Sequence, residues 1–332
     1  MKAVLCKAYG PPDSLVVENV PTPRPTDGQV LIDVKAAGVN FPDVLIIQNK
    51  YQFKPPLPFS PGGEVAGIVK ELGPGVTNVK VGDRVMASTG FGGFAEEVCA
   101  PAARCIPFPQ NIDFVQASAF VMTYGTSHHA LKDRANLKKG ESLLVLGAAG
   151  GVGIAAVEIG KIMGARVIAA CSSQEKVDFC KAHGADEGIV YPENPLNRDA
   201  QKKLSDDLKK LIGGDGANVI YDGVGGDYAE PALRAIAWEG RYLVVGFPAG
   251  IPAIPLNLSL LKGCQIVGVF WGAFTAREPK RNTENLHELM RWIEEGKLKP
   301  TVSKTYPLAK AAEALNDMAA RKVKGKVVLV TG

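Results

Sequence analysis

The stretch Ala148-Ala149-Gly150-Gly151-Val152-Gly153 has the composition best suited to chemistry. It follows an apolar run of strand length, Ser142 to Leu146, and leaves as a segment with Ala, Val and Ile at helical spacing that reaches a second apolar run, Val167 to Cys171. That pattern predicts a βαβ unit. A glycine-rich turn entering a helix leaves backbone N–H groups unpaired and pointing one way, with the positive end of the helix dipole behind them. Such a turn suits a pyrophosphate. The spacing departs from G-x-G-x-x-G, because alanine stands at the first glycine's place and Gly147 lies one residue earlier. Taken alone, the turn fits a dinucleotide cradle or a closely packed strand-to-helix turn equally well. It is not a Walker A loop, since no Gly-Lys-Ser/Thr follows it.

Other reactive side chains are more dispersed. The second apolar run ends in Cys171, Ser172 and Ser173, with no acid before Glu175. In dinucleotide folds an acid at that strand end holds the ribose 2′-hydroxyl and repels a 2′-phosphate, so its absence favours NADPH over NADH. Six cysteines (Cys6, Cys99, Cys105, Cys171, Cys180, Cys264) lie mostly within apolar runs and form no C-x-x-C pair. They read as reduced, buried thiols of a cytoplasmic protein. His128 and His129 are adjacent, so a helix points them in different directions, and no carboxylate or cysteine is spaced to join them as metal ligands.

The elements that must position these groups follow from the rest of the chain. With 332 residues, 46% hydrophobic and 22% charged, the chain has room for two soluble domains with substantial cores. A net charge of +4 spread along this length supports neither a nucleic-acid nor a membrane surface. No run approaches the roughly 18 apolar residues of a membrane span, and MKAVLCKAY is too short for a signal peptide and reads as a first strand. Residues 1–123 show short strands (Ala3 to Ala8, Gln29 to Ala37, Glu64 to Leu72, Arg84 to Ala87, Gly93 to Ala100) broken by Pro- and Gly-rich turns, and predict a β domain.

Residues 124–270 alternate strands and helices. From Ser142 onward there are six strands, the fifth at Gly240 to Gly246 after a helix over Tyr228 to Trp238, and the sixth at Cys264 to Phe270. That count predicts a doubly wound parallel sheet of the Rossmann type. Residues 271–332, with helices at Asn282 to Glu295 and Ala309 to Ala320 and strands at Val302 to Tyr306 and Lys326 to Val330, are expected back on the β domain, with the active cleft between the two domains.

The landmarks Ala36-Ala37-Gly38-Val39-Asn40-Phe41-Pro42-Asp43 with Tyr51 downstream, Pro61-Gly62-Gly63-Glu64-Val65-Ala66-Gly67, Val81-Gly82-Asp83-Arg84-Val85, Gly93-Phe94-Ala95-Glu96 and the Ala148 to Gly153 turn together resemble the medium-chain dehydrogenase/reductase superfamily. The branch resembled is the zinc-free quinone oxidoreductase, or zeta-crystallin-like, one, and the resemblance runs the length of the chain. It implies an α/β fold in which a Rossmann domain is inserted into a GroES-like catalytic domain. Zinc-dependent relatives carry a cysteine and a histidine where this chain has Asn40 and Gly63, neither a useful zinc ligand, and the lobe with four cysteines is absent, so no metal is expected.

The resemblance further implies where NADPH is held. The turn Ala149, Gly150, Gly151, Val152 and Gly153 takes the pyrophosphate; Lys176, Tyr191 and Arg321 surround the phosphate-bearing ribose, beside the Ser172 and Ser173 already read from the strand end. Thr126, the segment containing Gly246 and Phe247, and the loop Phe270-Trp271-Gly272 lie by the nicotinamide. It places Asn40, Asp43 and Tyr51 together at the cleft as the catalytic group. Their side-chain chemistry suits Asn40 and Tyr51 to orienting the substrate and stabilising its oxygen and Asp43 to supporting the loop, while Tyr51 fits packing beside the Pro-rich loop equally well. Without a metal, the acceptor must tolerate negative charge by delocalisation or receive a proton. Quinones meet this condition, so NADPH:quinone reduction is the expected activity, with reduction of the activated C=C bond of enones or enoyl thioesters as the alternative. A different class, an NADPH-binding structural or nucleic-acid-binding protein without turnover, is also known in this branch. Relatives pair the strand corresponding to Cys264 to Phe270 with its twin, which implies a homodimer.

Overall fold

The strand Gln29–Val39, 11 residues long and buried almost throughout, organises the first part of the molecule. The computed structural model describes residues 1–332, which divide into two units: Met1–Met122 with Pro300–Gly332, and Thr123–Lys299. In the first unit, Gln29–Val39 pairs along one edge with Glu64–Leu72. Its other edge is shared end to end, by Glu97–Pro101 over Gln29 to Asp33 and by Lys326–Val330 over Ala36 to Val39. Val302–Pro307, Arg84–Ser88 and Cys105–Pro107 complete a seven-stranded sheet. Val30, Ile32, Val34, Val65, Val69, Val85, Leu315 and Leu329 form its core. The register Val39↔Val327 brings the end of one strand beside the start of the other, so that Asn40 and Lys326 are neighbours.

The second unit is a six-stranded, all-parallel sheet. Its strands in sequence order are Ser142–Leu146, Arg166–Cys171, Glu187–Val190, Ala217–Asp222, Ile236–Val244 and Gln265–Gly268. Their spatial order is 3-2-1-4-5-6, the doubly wound arrangement in which ligands bind beyond the carboxyl ends of strands 1 and 4. Val, Leu, Ile and Ala fill the central strands because both faces are covered.

Two expectations need correction. The helix read over Tyr228 to Trp238 stops at Arg234, and the fifth strand begins at Ile236. Ile236 is drawn into the sheet opposite Ala217, where a register shift lets a segment with mixed periodicity pair. The return to the first unit occurs at Pro300 rather than at residue 271.

Helices Trp271–Arg277 and Pro279–Glu294 stay on the second unit because the histidine pair anchors them there. The His129 ring stacks on Phe274 at 3.8 Å, and His128 Nε2 meets Glu288 Oε2 at 3.0 Å. Asp133 binds His129, Asn285 and Arg281 at 2.7, 2.7 and 2.8 Å. Burial lowers the His128 pKa to about 4, so the ring is neutral near pH 7. No helix is long and apolar enough to cross a membrane.

Candidate functional site

Four polar side chains that a β domain would ordinarily keep in water, Asn40, Asp43, Glu64 and Lys326, are buried together in the first unit. Asn40 ends the central strand and caps the short helix Phe41–Ile46. Its backbone N–H donates to Asp43 Oδ2 at 2.8 Å, and Gly62 N–H donates to Asp43 Oδ1 at 3.2 Å. Asp43 therefore ties the Asn40 turn to the Pro61-Gly62-Gly63 segment. The Asn40 side chain faces the other way. Its Oδ1 accepts from Lys326 Nζ at 2.6 Å, and its Nδ2 donates to Glu64 Oε2 at 3.1 Å and to Gly38 O at 3.3 Å.

Lys326 also reaches Glu64 Oε2 at 3.1 Å, and Glu64 Oε1 accepts from Met122 N–H at 2.9 Å. Lys326 is 2% exposed and Glu64 0%. A charge pair this deep is stable only because each partner's remaining hydrogen-bonding capacity is met. Gly38 leaves room for it, since a Cβ there would lie 2.2 Å from Ser118 O, 2.9 Å from Glu64 Oε2 and 3.2 Å from Lys326 Nζ.

This network changes the part Asn40 can take. Both amide hydrogens are used inside the protein, so Asn40 holds neighbouring groups in place rather than donating to a substrate. Tyr51 is the group left open. Its ring packs against the core, is partly buried, and its hydroxyl makes no hydrogen bond within the protein. Burial and the nearby Asp43 carboxylate raise its pKa, so it keeps its proton through neutral pH. Asp43 itself is pushed up to about 6, chiefly by burial, with the Asn40 and Gly62 N–H groups and the Lys326 charge pulling it down. No group of three or more His, Cys, Asp or Glu side chains is arranged to hold a metal ion.

In the second unit the turn closes as the sequence pattern requires. Gly147 has φ +66°, and Gly150, in an extended conformation, caps the helix Gly151–Ile162. A Cβ on Gly153 would lie 2.2 Å from Gly147 O, so only glycine lets helix and strand approach this closely. The first-turn N–H groups of Gly151, Val152 and Gly153 have no carbonyl partners within the helix, which makes this the anion-accepting end. The pyrophosphate of a dinucleotide fits such a cradle.

At the end of the second strand, Ser173 caps the helix Gln174–Ala182, and Lys176 Nζ donates to Ser172 Oγ at 3.1 Å. Tyr191 directly follows the third strand, but its ring is 9% exposed and packs on Tyr228 at 4.6 Å, so it belongs to the core. Gly246 lies beside Gly223, at the carboxyl ends of strands 4 and 5. Phe247 and Phe270 are exposed, Thr126 is partly buried, and Trp271 is buried against Gly125 with Gly272 next along the helix. Arg321 lies in the first unit, at φ +56° just past the helix Ala311–Ala319. Sequence reasoning does not reach Glu64 and Lys326 as site residues. Lys326 opens an apolar run and looks like a solvated strand end, and only its pairing beside Val39 shows otherwise.

Residues 26–110 match the family described as alcohol dehydrogenase GroES-like domain, and residues 151–295 the one described as zinc-binding dehydrogenase. With the fold and the turn, these define the class: an oxidoreductase of the medium-chain dehydrogenase/reductase superfamily, which uses a nicotinamide cofactor. The chain is 40% identical over 338 residues to quinone oxidoreductase-like protein 2 homolog of Nematostella vectensis, covering 99% of this chain and 89% of the relative. Escherichia coli quinone oxidoreductase, solved in complex with NADPH, superposes with a TM-score of 0.89 at 28% identity over 99% of this chain and 100% of that one. A mycobacterial protein solved with NADPH gives 0.92 at 32% identity over 99% of both chains. The chain belongs to the quinone oxidoreductase, or zeta-crystallin-like, branch.

Proposed function

We propose that the protein is an NADPH:quinone reductase that works without a metal. The observation that carries the cofactor choice is the end of the Arg166–Cys171 strand. Ser172, Ser173 and Lys176 stand there with no carboxylate on the strand end, a setting that accepts a 2′-phosphate. The NADPH complexes of the Escherichia coli and mycobacterial relatives support the same reading. When bound, the nicotinamide supplies the hydride. The turn Ala149 to Gly153 holds the pyrophosphate through the open backbone N–H groups of Gly151, Val152 and Gly153.

Tyr51, protonated near pH 7 and free of internal partners, donates a hydrogen bond or proton to the acceptor oxygen as it gains charge. Asp43, Asn40, Glu64 and Lys326 hold the loop that presents it. Phe53 and Phe91, exposed with ring centroids 5.7 Å apart, offer a planar acceptor an aromatic surface. Tyr51→Phe is expected to lower kcat about 100-fold, the scale of general acid catalysis, with NADPH affinity unchanged. An unaltered kcat on every acceptor would remove Tyr51 from the reaction.

The decisive test follows NADPH oxidation with para-quinones, ortho-quinones, alkenals and enoyl thioesters, with NADH as control. Faster turnover of alkenals or thioesters would assign C=C reduction instead. No turnover with any acceptor would make the chain a binding protein, and preference for NADH would overturn the reading of Ser172 and Lys176.

A homodimer belongs to the same proposal. The Gln265–Gly268 strand is a sheet edge, and Trp238, Leu260, Leu261 and Ile266 are exposed around it, Leu260 by 80%. An edge with such a surface favours pairing with a second copy. Leu260→Glu with Ile266→Lys is expected to give a monomer by light scattering; a dimer of unchanged affinity would place the interface elsewhere. A cytoplasmic setting is the accompanying location, consistent with six free thiols.

A further inference from the structure

Two of those thiols face each other beneath the cofactor turn. Cys171 ends the second strand of the parallel sheet, and Cys180 lies in the helix Gln174–Ala182 that follows it. Their Sγ atoms are 3.7 Å apart, and both side chains are buried. Ala149 N–H, in the phosphate-binding turn, donates to Cys171. Ser172, next in the chain, is exposed, so Cys171 lies one residue from solvent. Burial commonly makes a cysteine inert. What distinguishes this one is a second sulfur in contact and a direct bond to the turn.

We propose that Cys171 and Cys180 form a dithiol that a hydroperoxide oxidises to a disulfide, and that the disulfide weakens nucleotide binding at the turn. The second half rests on the proposed NADPH site. The Cys180 S–H, the Ala149 amide and the Lys176 charge hold Cys171 below the usual thiol range against burial, which makes it the attacking sulfur. Its thiolate attacks the peroxide, giving a sulfenic acid and one water from hydrogen peroxide. The Cys180 thiol then attacks that sulfur, the S–O bond breaks and a second water leaves. Two thiols lose two electrons and two protons, and one peroxide is reduced to two waters.

A disulfide brings the sulfurs to about 2 Å. Cys171 must turn toward Cys180 and away from the Ala149 N–H, and the helix carrying Ser173 and Lys176 must shift against the strand. A close-packed interior transmits such a displacement to its neighbours.

Trypsin makes the crosslink easy to read, because cleavage after Lys176 separates the cysteines into Val167–Lys176 and Val177–Lys181, each with one cysteine. After hydrogen peroxide treatment of the intact protein without nucleotide, mass spectrometry is expected to find these peptides joined and to find them apart after dithiothreitol. NADPH titrated by fluorescence is expected to bind about tenfold more weakly to the oxidised protein, the scale of one lost hydrogen bond, with recovery on reduction. Cys180→Ser should keep its affinity after peroxide. Absence of the linked peptides overturns the dithiol, whether or not NADPH is the cofactor. Linked peptides with unchanged affinity, or an equal loss in Cys180→Ser, overturn its effect on the turn. Reduced protein that binds no NADPH counts instead against the proposed function, which the peptide map leaves separate.

Discussion

Replacing Lys326 with methionine is expected to cost about 3–5 kcal/mol of folding stability, because it leaves the Glu64 carboxylate buried without its cation. Urea denaturation of the wild type and the variant measures it. Glu64 is wholly buried, and its Oε2 loses the 3.1 Å bond to Lys326 Nζ while keeping only the Asn40 amide. Asn40 Oδ1 loses its 2.6 Å donor as well. Lys326→Met with Glu64→Gln is expected to recover most of the loss, since the uncompensated charge is then gone and the glutamine can still accept from Met122 N–H. If Lys326→Met alone is as stable as wild type, the buried pair is not what holds the Asn40 loop.

The same substitution acts on Asp43. Lys326 is one of the groups that lower the Asp43 pKa, so without it the carboxyl rises above its present value of about 6. The sign follows from linkage. A carboxyl whose folded pKa lies above its ordinary 3.8 contributes stability fully below that value, and the contribution is lost as pH rises through the folded pKa. In Lys326→Met that loss moves to higher pH. Stability measured from pH 4 to 8 should show the decline displaced upward, a result that simple loss of packing does not produce.

Gly153→Ala is the second large effect. Its Cβ would fall 2.2 Å from Gly147 O and 2.8 Å from Ala148 Cα, both backbone atoms that no side-chain rotation can move away. Separating helix and strand to fit it costs on the order of 1–3 kcal/mol. It also moves the N–H groups of the turn, so NADPH affinity is expected to fall about 10- to 100-fold, the equivalent of that energy. Gly150→Ala is the comparison. The nearest atom to its Cβ is Gly147 O at 3.3 Å, and its backbone is extended, so folding stability should be nearly unchanged. Equal stability losses in the two variants would show that the close approach at Gly153 is not special.

Much of this protein was legible in its residues. Apolar runs of strand length separated by amphipathic segments determine the parallel sheet, because both faces of each strand must be covered and the backbone must pair. The small residues from Gly147 to Gly153 determine the shape of the turn through sterics alone, and the serines after Cys171 determine that no carboxylate stands on that strand end. These are local properties, carried by residues close together in the chain.

Contacts between distant residues could be decided only by the tertiary structure. Lys326 and Asn40 are 286 residues apart and become partners only because Val327 pairs with Val39. His128 and Glu288, 160 apart, hold residues 271–299 on the second unit against the simpler expectation. Cys171 and Cys180, nine residues apart, do not have a redox motif's spacing; a strand and the helix folded back on it bring their sulfurs together. A side chain's type sets the chemistry available to it. Strand register and helix packing decide whether it is buried, which partner it meets, and therefore whether Asn40 donates to a substrate or to Glu64.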